Sequence, residues 1–137
     1  MARFLEFLVN HWILSTIWLA LFTALVIYLN SKSGKSISPH QAILLINKQD
    51  GVFLDIRERK DFERGHIVDA INIPLAKVHE RIVELDKKKE LPIVVVCNMG
   101  QQSGDAVKAL EAKGFTSVSR MAGGMSEWLT SSLPVVK

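Results

Sequence analysis

Cysteine is nearly absent from the chain: Cys97 is the only one. A lone cysteine excludes an internal disulfide, so the fold does not depend on an oxidising compartment. No Cys/His spacing suggests a metal site, and no metal is expected. No Gly-rich phosphate motif is present, and no cofactor is expected. Basic runs are scarce as well. The net charge is +3, and Lys87-Lys88-Lys89 sits among Glu84, Asp86 and Glu90. That pattern is a solvated face and gives no reason to expect nucleic-acid binding. No internal repeat appears in the 137 residues. The largest absence is of charge: there is no Asp, Glu, Lys or Arg from Phe7 to Ser31.

That uncharged window would span about 37 Å as a helix, at roughly 1.5 Å per residue. A hydrocarbon core needs about 30 Å, and lipid leaves the backbone no partners but its own. Trp12 and Tyr28 stand near its two ends, where amphipathic rings favour the interface. Residues 1–31 are therefore expected to be an N-terminal transmembrane anchor, with the span at about 9–29. A cleaved signal peptide has a shorter apolar region, and Ser31-Lys32-Ser33 is a poor cleavage site. Arg3 lies on one side of the span, Lys32 and Lys35 on the other. The positive-inside bias thus favours a cytoplasmic soluble domain. Residues 32–37 are expected to be a linker, and 38–137 a single domain, long enough to bury a core.

Within that domain the apolar pattern alternates between strand and helix. Ser38-Pro39 predicts a helix start, carried to about Asn47. Strands are expected at Val52–Ile56, Ala70–Ile73, Ile93–Cys97 and Val118–Met121. Helices are expected around Arg57–Arg64, at Leu75–Leu85, at Ser103–Lys113 with Gly114 as its cap, and at Met125–Leu129. This alternation implies an α/β fold, a central parallel sheet with helices on both faces. Strand order does not follow from the pattern.

The stretch that carries chemistry is Ile93-Val94-Val95-Val96-Cys97-Asn98-Met99-Gly100-Gln101-Gln102-Ser103. A buried strand, a tight turn and a helix start put Cys97 at a strand's carboxyl end, where open α/β folds place their ligands. The amides of residues 98–103 are expected to point at the sulfur, with the positive end of the next helix behind them. Both favour thiolate over thiol. Such a thiolate can attack a sulfane sulfur, become a persulfide and pass the sulfur on. Phosphate-ester cleavage uses a similar cradle, with an arginine at the sixth position after the cysteine to clamp the phosphoryl group. Here that position is Ser103 and no loop residue is cationic, which argues against that reaction.

Several motifs occur together and in order: Leu54-Asp55-Ile56-Arg57-Glu58, Phe62-Glu63-Arg64-Gly65-His66-Ile67, Ala70-Ile71-Asn72-Ile73-Pro74, the Cys97 loop, and Gly123-Gly124 followed by Trp128. From about Ser38 to Leu133 the chain resembles a single rhodanese-like domain. With its N-terminal segment it is similar to the small membrane-tethered rhodanese-like proteins of bacteria. The resemblance implies a rhodanese-like fold and a sulfurtransferase with Cys97 as the catalytic, sulfur-carrying residue. Asn98, Met99, Gly100, Gln101, Gln102 and Ser103 would form the substrate-binding loop, with Asp55 and Arg57 in support. Its partners would be a sulfur donor, a thiol acceptor and the lipid bilayer, and a membrane-protein partner is a further candidate. The expected location is the bacterial inner membrane, single-pass. Active thiosulfate sulfurtransferases often carry arginine beside the cysteine or near the loop's end, whereas this chain has Asn98 and Gln102. A missing charge-assisted bond is worth roughly 1.5–3 kcal/mol, about one or two decades in affinity. Weak activity with thiosulfate is therefore expected. The alternative is a tethered interaction module that kept the fold without efficient chemistry.

Overall fold

The structure, a computed structural model, describes residues 1–31 and 34–137. The chain divides into two units, Met1–Lys32 and Ser33–Lys137.

The first unit is helical. Helix α1 (Ala2–Asn10) and helix α2 (Trp12–Ser31) meet at His11, whose φ of −119° ends α1. The expected span at 9–29 therefore begins inside α1 and crosses this break. Polar Asn10 and His11 are poor helix formers and mark the spot. The hydroxyls of Thr16 and Thr23 donate to the carbonyls of Ile13 and Leu19, so these two polar groups are satisfied within the helix. Its stretch Trp12–Leu29 is long and apolar enough to cross a membrane, by length and composition.

The second unit is an α/β fold around a five-stranded, wholly parallel sheet of order β1-β5-β4-β2-β3. The strands are β1 (Lys35–Ile37), β2 (Val52–Asp55), β3 (Ile71–Asn72), β4 (Ile93–Val96) and β5 (Val118–Met121). β2 and β4 are buried at every position, as central strands covered on both faces must be.

One face packs Leu54, Ile93, Val95 and Cys97 against Val78, Ile82 and Leu85, and against helix α6 (Ser103–Ala112) through Ala106, Val107 and Leu110. The other packs Phe53, Val94, Val96 and Met121 against helix α3 (Pro39–Gln49) and helix α7 (Gly124–Thr130), through Ala42, Met125 and Trp128. Ser38 caps α3 as expected: its hydroxyl accepts from Gln41 N–H, and the Gln41 side chain accepts in return from Ser38 N–H at 3.0 Å. The short helix expected around Arg57–Arg64 is α4 (Arg59–Arg64).

Two expectations are corrected. The segment read as a linker, 32–37, contributes Lys35–Ile37 to the sheet as edge strand β1, paired with β5. Residues 32 and 33 of that linker lie outside the described residues. The helix expected at Leu75–Leu85 is a 3-10 turn (Leu75–Lys77), a single α-turn (α5, Val78–Arg81) and a 3-10 stretch (Ile82–Lys88). The apolar spacing explains the alternation. Leu75 to Val78 and Ile82 to Leu85 are three apart, the period of a 3-10 helix, while Val78 to Ile82 is four.

Candidate functional site

Strand β4 sits between β5 and β2, and its β-branched run ends where Cys97 begins a loop. Gly100, at φ +83°, turns that loop back in a conformation that suits glycine. The Gly100 N–H donates to Cys97 Sγ at 2.9 Å. The Ser103 hydroxyl donates to the Gly100 carbonyl at 2.9 Å and closes the loop as α6 starts. Ser103 is fully buried, whereas Asn98, Met99, Gln101 and Gln102 are exposed around the rim.

The second wall is backbone. α7 begins with Gly123 and Gly124, both at positive φ. Its first-turn amides are unpaired within the helix, and they find partners in the loop. Met125 N–H donates to the Cys97 carbonyl at 2.8 Å, and Ser126 N–H to the Asn98 carbonyl at 3.0 Å. A Cβ on Gly124 would land on the Cys97 carbonyl oxygen, and one on Gly100 would lie 2.9 Å from Gly123 N. The glycines thus admit the contact that fixes the loop.

This geometry narrows the ring of amides expected from the sequence. Among the described residues, Gly100 is the one amide hydrogen-bonded to the sulfur. The loop's first two carbonyls face α7, which sets the direction of the peptides around them. Cys97 is also less open than expected: it is 2% exposed and shares a core layer with Ile56 and Val95. The thiol is thus buried in a loop whose exposed side chains are Asn98, Met99, Gln101 and Gln102.

Asp55 and Arg57 form a knot beside this loop. Asp55 ends β2, in register with Val96. Its carboxylate accepts from Arg57 N–H at 3.0 Å, from Arg57 Nε at 3.0 Å and from Arg57 Nη2 at 2.7 Å. Arg57 Nη2 also donates to the Gly65 carbonyl at 2.9 Å. Both side chains are buried, at 1% and 7% exposure. Burial strengthens such bonds and makes an unpaired remnant costly. The knot ties the end of β2 to the turn at Gly65, and none of its hydrogen bonds among the described residues reaches the Cys97 loop.

Two residues escaped the sequence reading. Asn72 Nδ2 donates to the carbonyls of Asp55 and Arg57, at 3.0 and 2.9 Å, and so holds the exit of β2. A lone amide inside the apolar run Ala70–Ile73 was the signal. Arg120 is a cation inside strand β5, and its Nε is buried with no partner; a charge within Val118–Met121 was the signal there.

No group of three or more metal-ligating side chains occurs among the described residues. A cleft of about 490 Å³ opens at the other end of β2, lined by Ile46, Asp50, Val52, Asp69 and Trp128 among others. It does not include the Cys97 loop.

Comparison with known proteins gives a consistent result. The family model described as "Rhodanese-like domain" matches residues 38–131. The uncharacterized protein YibN of Escherichia coli (strain K12) is 37% identical over 142 residues, covering 100% of this chain and 99% of that one. The thiosulfate sulfurtransferase GlpE of Coxiella burnetii (strain RSA 493 / Nine Mile phase I) is 34% identical over 94 residues, 69% of this chain and 86% of that one. The solution structure of a polysulfide-sulfur transferase homodimer from Wolinella succinogenes superposes with a TM-score of 0.67 at 25% identity, covering 85% of this chain and 88% of that one.

Proposed function

The chain belongs to the rhodanese-like family, a family of sulfurtransferases, and from that premise we propose that it carries sulfane sulfur as a persulfide on Cys97 while anchored to a membrane by residues 1–31. In the first step Cys97 Sγ, as thiolate, attacks the outer sulfur of the donor. With thiosulfate, an Sγ–S bond forms, the donor's S–S bond breaks, and sulfite leaves with the electron pair. In the second, an acceptor thiolate attacks the terminal sulfur of the persulfide. A new S–S bond forms on the acceptor, the Sγ–S bond breaks, and the pair returns to Cys97.

One observation carries the reading. Cys97 opens a short loop at the carboxyl end of the central strand, with the Gly100 N–H 2.9 Å from its sulfur. That donor stabilises negative charge on Sγ as it attacks and again as Sγ departs in the second step. Asn98, Met99, Gly100, Gln101 and Gln102 are the residues a donor meets on its way in, and buried Ser103 braces the loop through the Gly100 carbonyl. Asp55 and Arg57 act at a remove, by fixing the neighbouring strand end.

The loop carries no cation, so a dianion such as thiosulfate meets only neutral donors at the rim. Weak turnover with thiosulfate follows, and polysulfide or a protein persulfide is the better donor. The relative from Wolinella succinogenes is a polysulfide-sulfur transferase, which supports that class. The anchor is read from the apolar stretch Trp12–Leu29. Lys32 and Lys35 beyond the span favour a cytoplasmic domain, and the resemblance to small membrane-tethered bacterial proteins of the family supports an inner-membrane location.

Mass spectrometry of the full chain tests the chemistry. After incubation with polysulfide, Cys97 gains one sulfur and loses it when a thiol acceptor is added, and Cys97→Ser gains none. The 2% exposure of Cys97 favours a second reading, a tethered interaction module without turnover. That reading prevails when no donor loads the wild-type cysteine.

A further inference from the structure

We propose that Arg120 is the cation of this site, an anion-binding residue that holds the charged end of the sulfur donor beside Cys97. The inference rests on the sulfur-transfer reading and names its substrate class: anionic sulfane donors, of which thiosulfate is the simplest probe.

Placement comes first. β5 runs parallel to β4, with Arg120 opposite Val95. Side chains alternate between faces along a strand, and paired residues share a face. Val95, Cys97 and Val118 lie in one core layer, whereas Val94, Val96 and Met121 lie in the other. Arg120 therefore stands on the face of Cys97, one strand over and two residues short of it. With strands about 4.8 Å apart and a rise of about 3.3 Å per residue, the two Cα atoms are roughly 8 Å apart. The loop folds back over this same spot. A Cβ on Gly100 would lie 3.3 Å from the carbonyl oxygen of Met121, the residue after Arg120. Gly100 N is in turn 2.9 Å from Cys97 Sγ. A long arginine stem rooted at Arg120 is of a length to reach the underside of the loop.

The state of the side chain is the second observation. Arg120 Nε is buried and has no hydrogen-bond partner, and the residue forms no ion pair or side-chain hydrogen bond among the described residues. Its neighbours across the sheet are Ser36 and Val95, and neither carries a carboxylate. Arg120 as a residue is half-buried, whereas the buried Arg57 has both its Asp55 carboxylate and the Gly65 carbonyl. A buried guanidinium N–H without a partner lowers stability, so folding alone gives no reason to keep it. A partner that arrives from solution does. Planar guanidinium donors match the oxygens of a sulfonate. In the transfer step Arg120 exchanges no proton. It donates hydrogen bonds to the donor's anionic oxygens and then to the sulfite that leaves. It thus offsets part of the charge that Asn98 and Gln102 leave unanswered at the rim.

The test uses the full-length chain in detergent and follows thermal unfolding with added thiosulfate, ionic strength being held constant with chloride. A ligand that binds the folded state raises the midpoint. The wild-type midpoint rises. In Arg120→Gln the concentration needed for the same rise increases by about tenfold or more, the scale of one lost charge-assisted bond. Arg120→Lys keeps the charge without the planar fork and falls between the two. Without thiosulfate, Arg120→Gln unfolds no earlier than wild type. Alkylation of Cys97 gives a readout independent of turnover: the rate ratio of anionic iodoacetate to neutral iodoacetamide falls in both variants, more in Arg120→Gln. Equal midpoint shifts in all three proteins, no shift in wild type, or an unchanged ratio would each overturn the proposal. Failure of the two readings is distinguishable. An Arg120-dependent shift without sulfur loading keeps the anion site and removes the transferase. Loading that ignores Arg120 does the reverse.

Discussion

Two turns leave adjacent strands at the same edge of the sheet, and they are held by different means. After β2, charge does the holding. The Asp55 carboxylate collects the backbone and the guanidinium of Arg57, and Arg57 reaches on to the Gly65 carbonyl. After β4, backbone does it. Gly100, Gly123 and Gly124 allow α7 to dock its first amides on the carbonyls of Cys97 and Asn98. The first turn uses up its ionic side chains on itself. The second leaves its side chains exposed around a buried sulfur. A loop meant to meet a donor has to be rigid without spending its polar groups, and backbone hydrogen bonds that the glycines make room for achieve that.

Removing one partner of the charged turn should have the larger effect. Asp55→Ala leaves Arg57 buried at one end with no carboxylate, a loss of about 3–5 kcal/mol on the scale of broken buried pairs. Urea denaturation of the full chain reads this directly. A change below about 1 kcal/mol would mean that the turn after β2 is held by Asn72 and the backbone instead. The glycine turn should respond less in stability and more in chemistry. Gly124→Ala puts a methyl group on the Cys97 carbonyl oxygen at a φ of +56°. Left-handed backbone at a non-glycine residue costs about 1–2 kcal/mol, and relief of the contact moves the loop off α7. The expected result is a loss of about 2–3 kcal/mol, within the range for such strain, together with loss of sulfur loading on Cys97. A variant that loads at the wild-type rate would break the link between backbone docking and the site. Restoring charge to the rim is smaller again in stability terms. Gln102→Arg, at an exposed position, should raise thiosulfate turnover by about tenfold, the effect of one charge-assisted bond. An unchanged rate would detach the uncharged rim from the weak thiosulfate activity proposed for it.

The same contrast explains what could be read from the sequence. Strands β2 and β4 announce themselves through apolar runs, and α3 through Ser38-Pro39, because burial and capping leave a local trace. β1 leaves none. Lys35-Ser36-Ile37 has one buried residue and joins the sheet through backbone pairing with β5, a partner some eighty residues away in the chain. The position of Cys97 at a strand end is local and legible. The number of amides on its sulfur is not, since it depends on α7 drawing the loop's carbonyls toward itself. Arg120 is visible only as a charge in a strand. Its lack of a partner is a property of three neighbouring strands at once.

A second ion pair, on the surface, sharpens the comparison from its weak end. Arg81 and Glu84 meet on the surface, with Arg81 Nε 2.8 Å from Glu84 Oε1. The hydrogen bond from Arg81 holds the Glu84 carboxyl below its ordinary 4.5, and the same bond raises Arg81 above its own usual value. A depressed carboxyl stabilises the fold above its unfolded value, and this contribution fades as pH falls through the lower folded value. Exposed pairs contribute little in any case, since solvent screens them and two long side chains must be ordered. Arg81→Gln should therefore unfold within experimental error of wild type at neutral pH in moderate salt. Any small difference seen at low salt should vanish as acid protonates Glu84. A deficit comparable to that of Asp55→Ala would show that exposure is not what separates the two pairs. Burial, rather than the presence of opposite charges, would then not be what makes an ion pair matter to this fold.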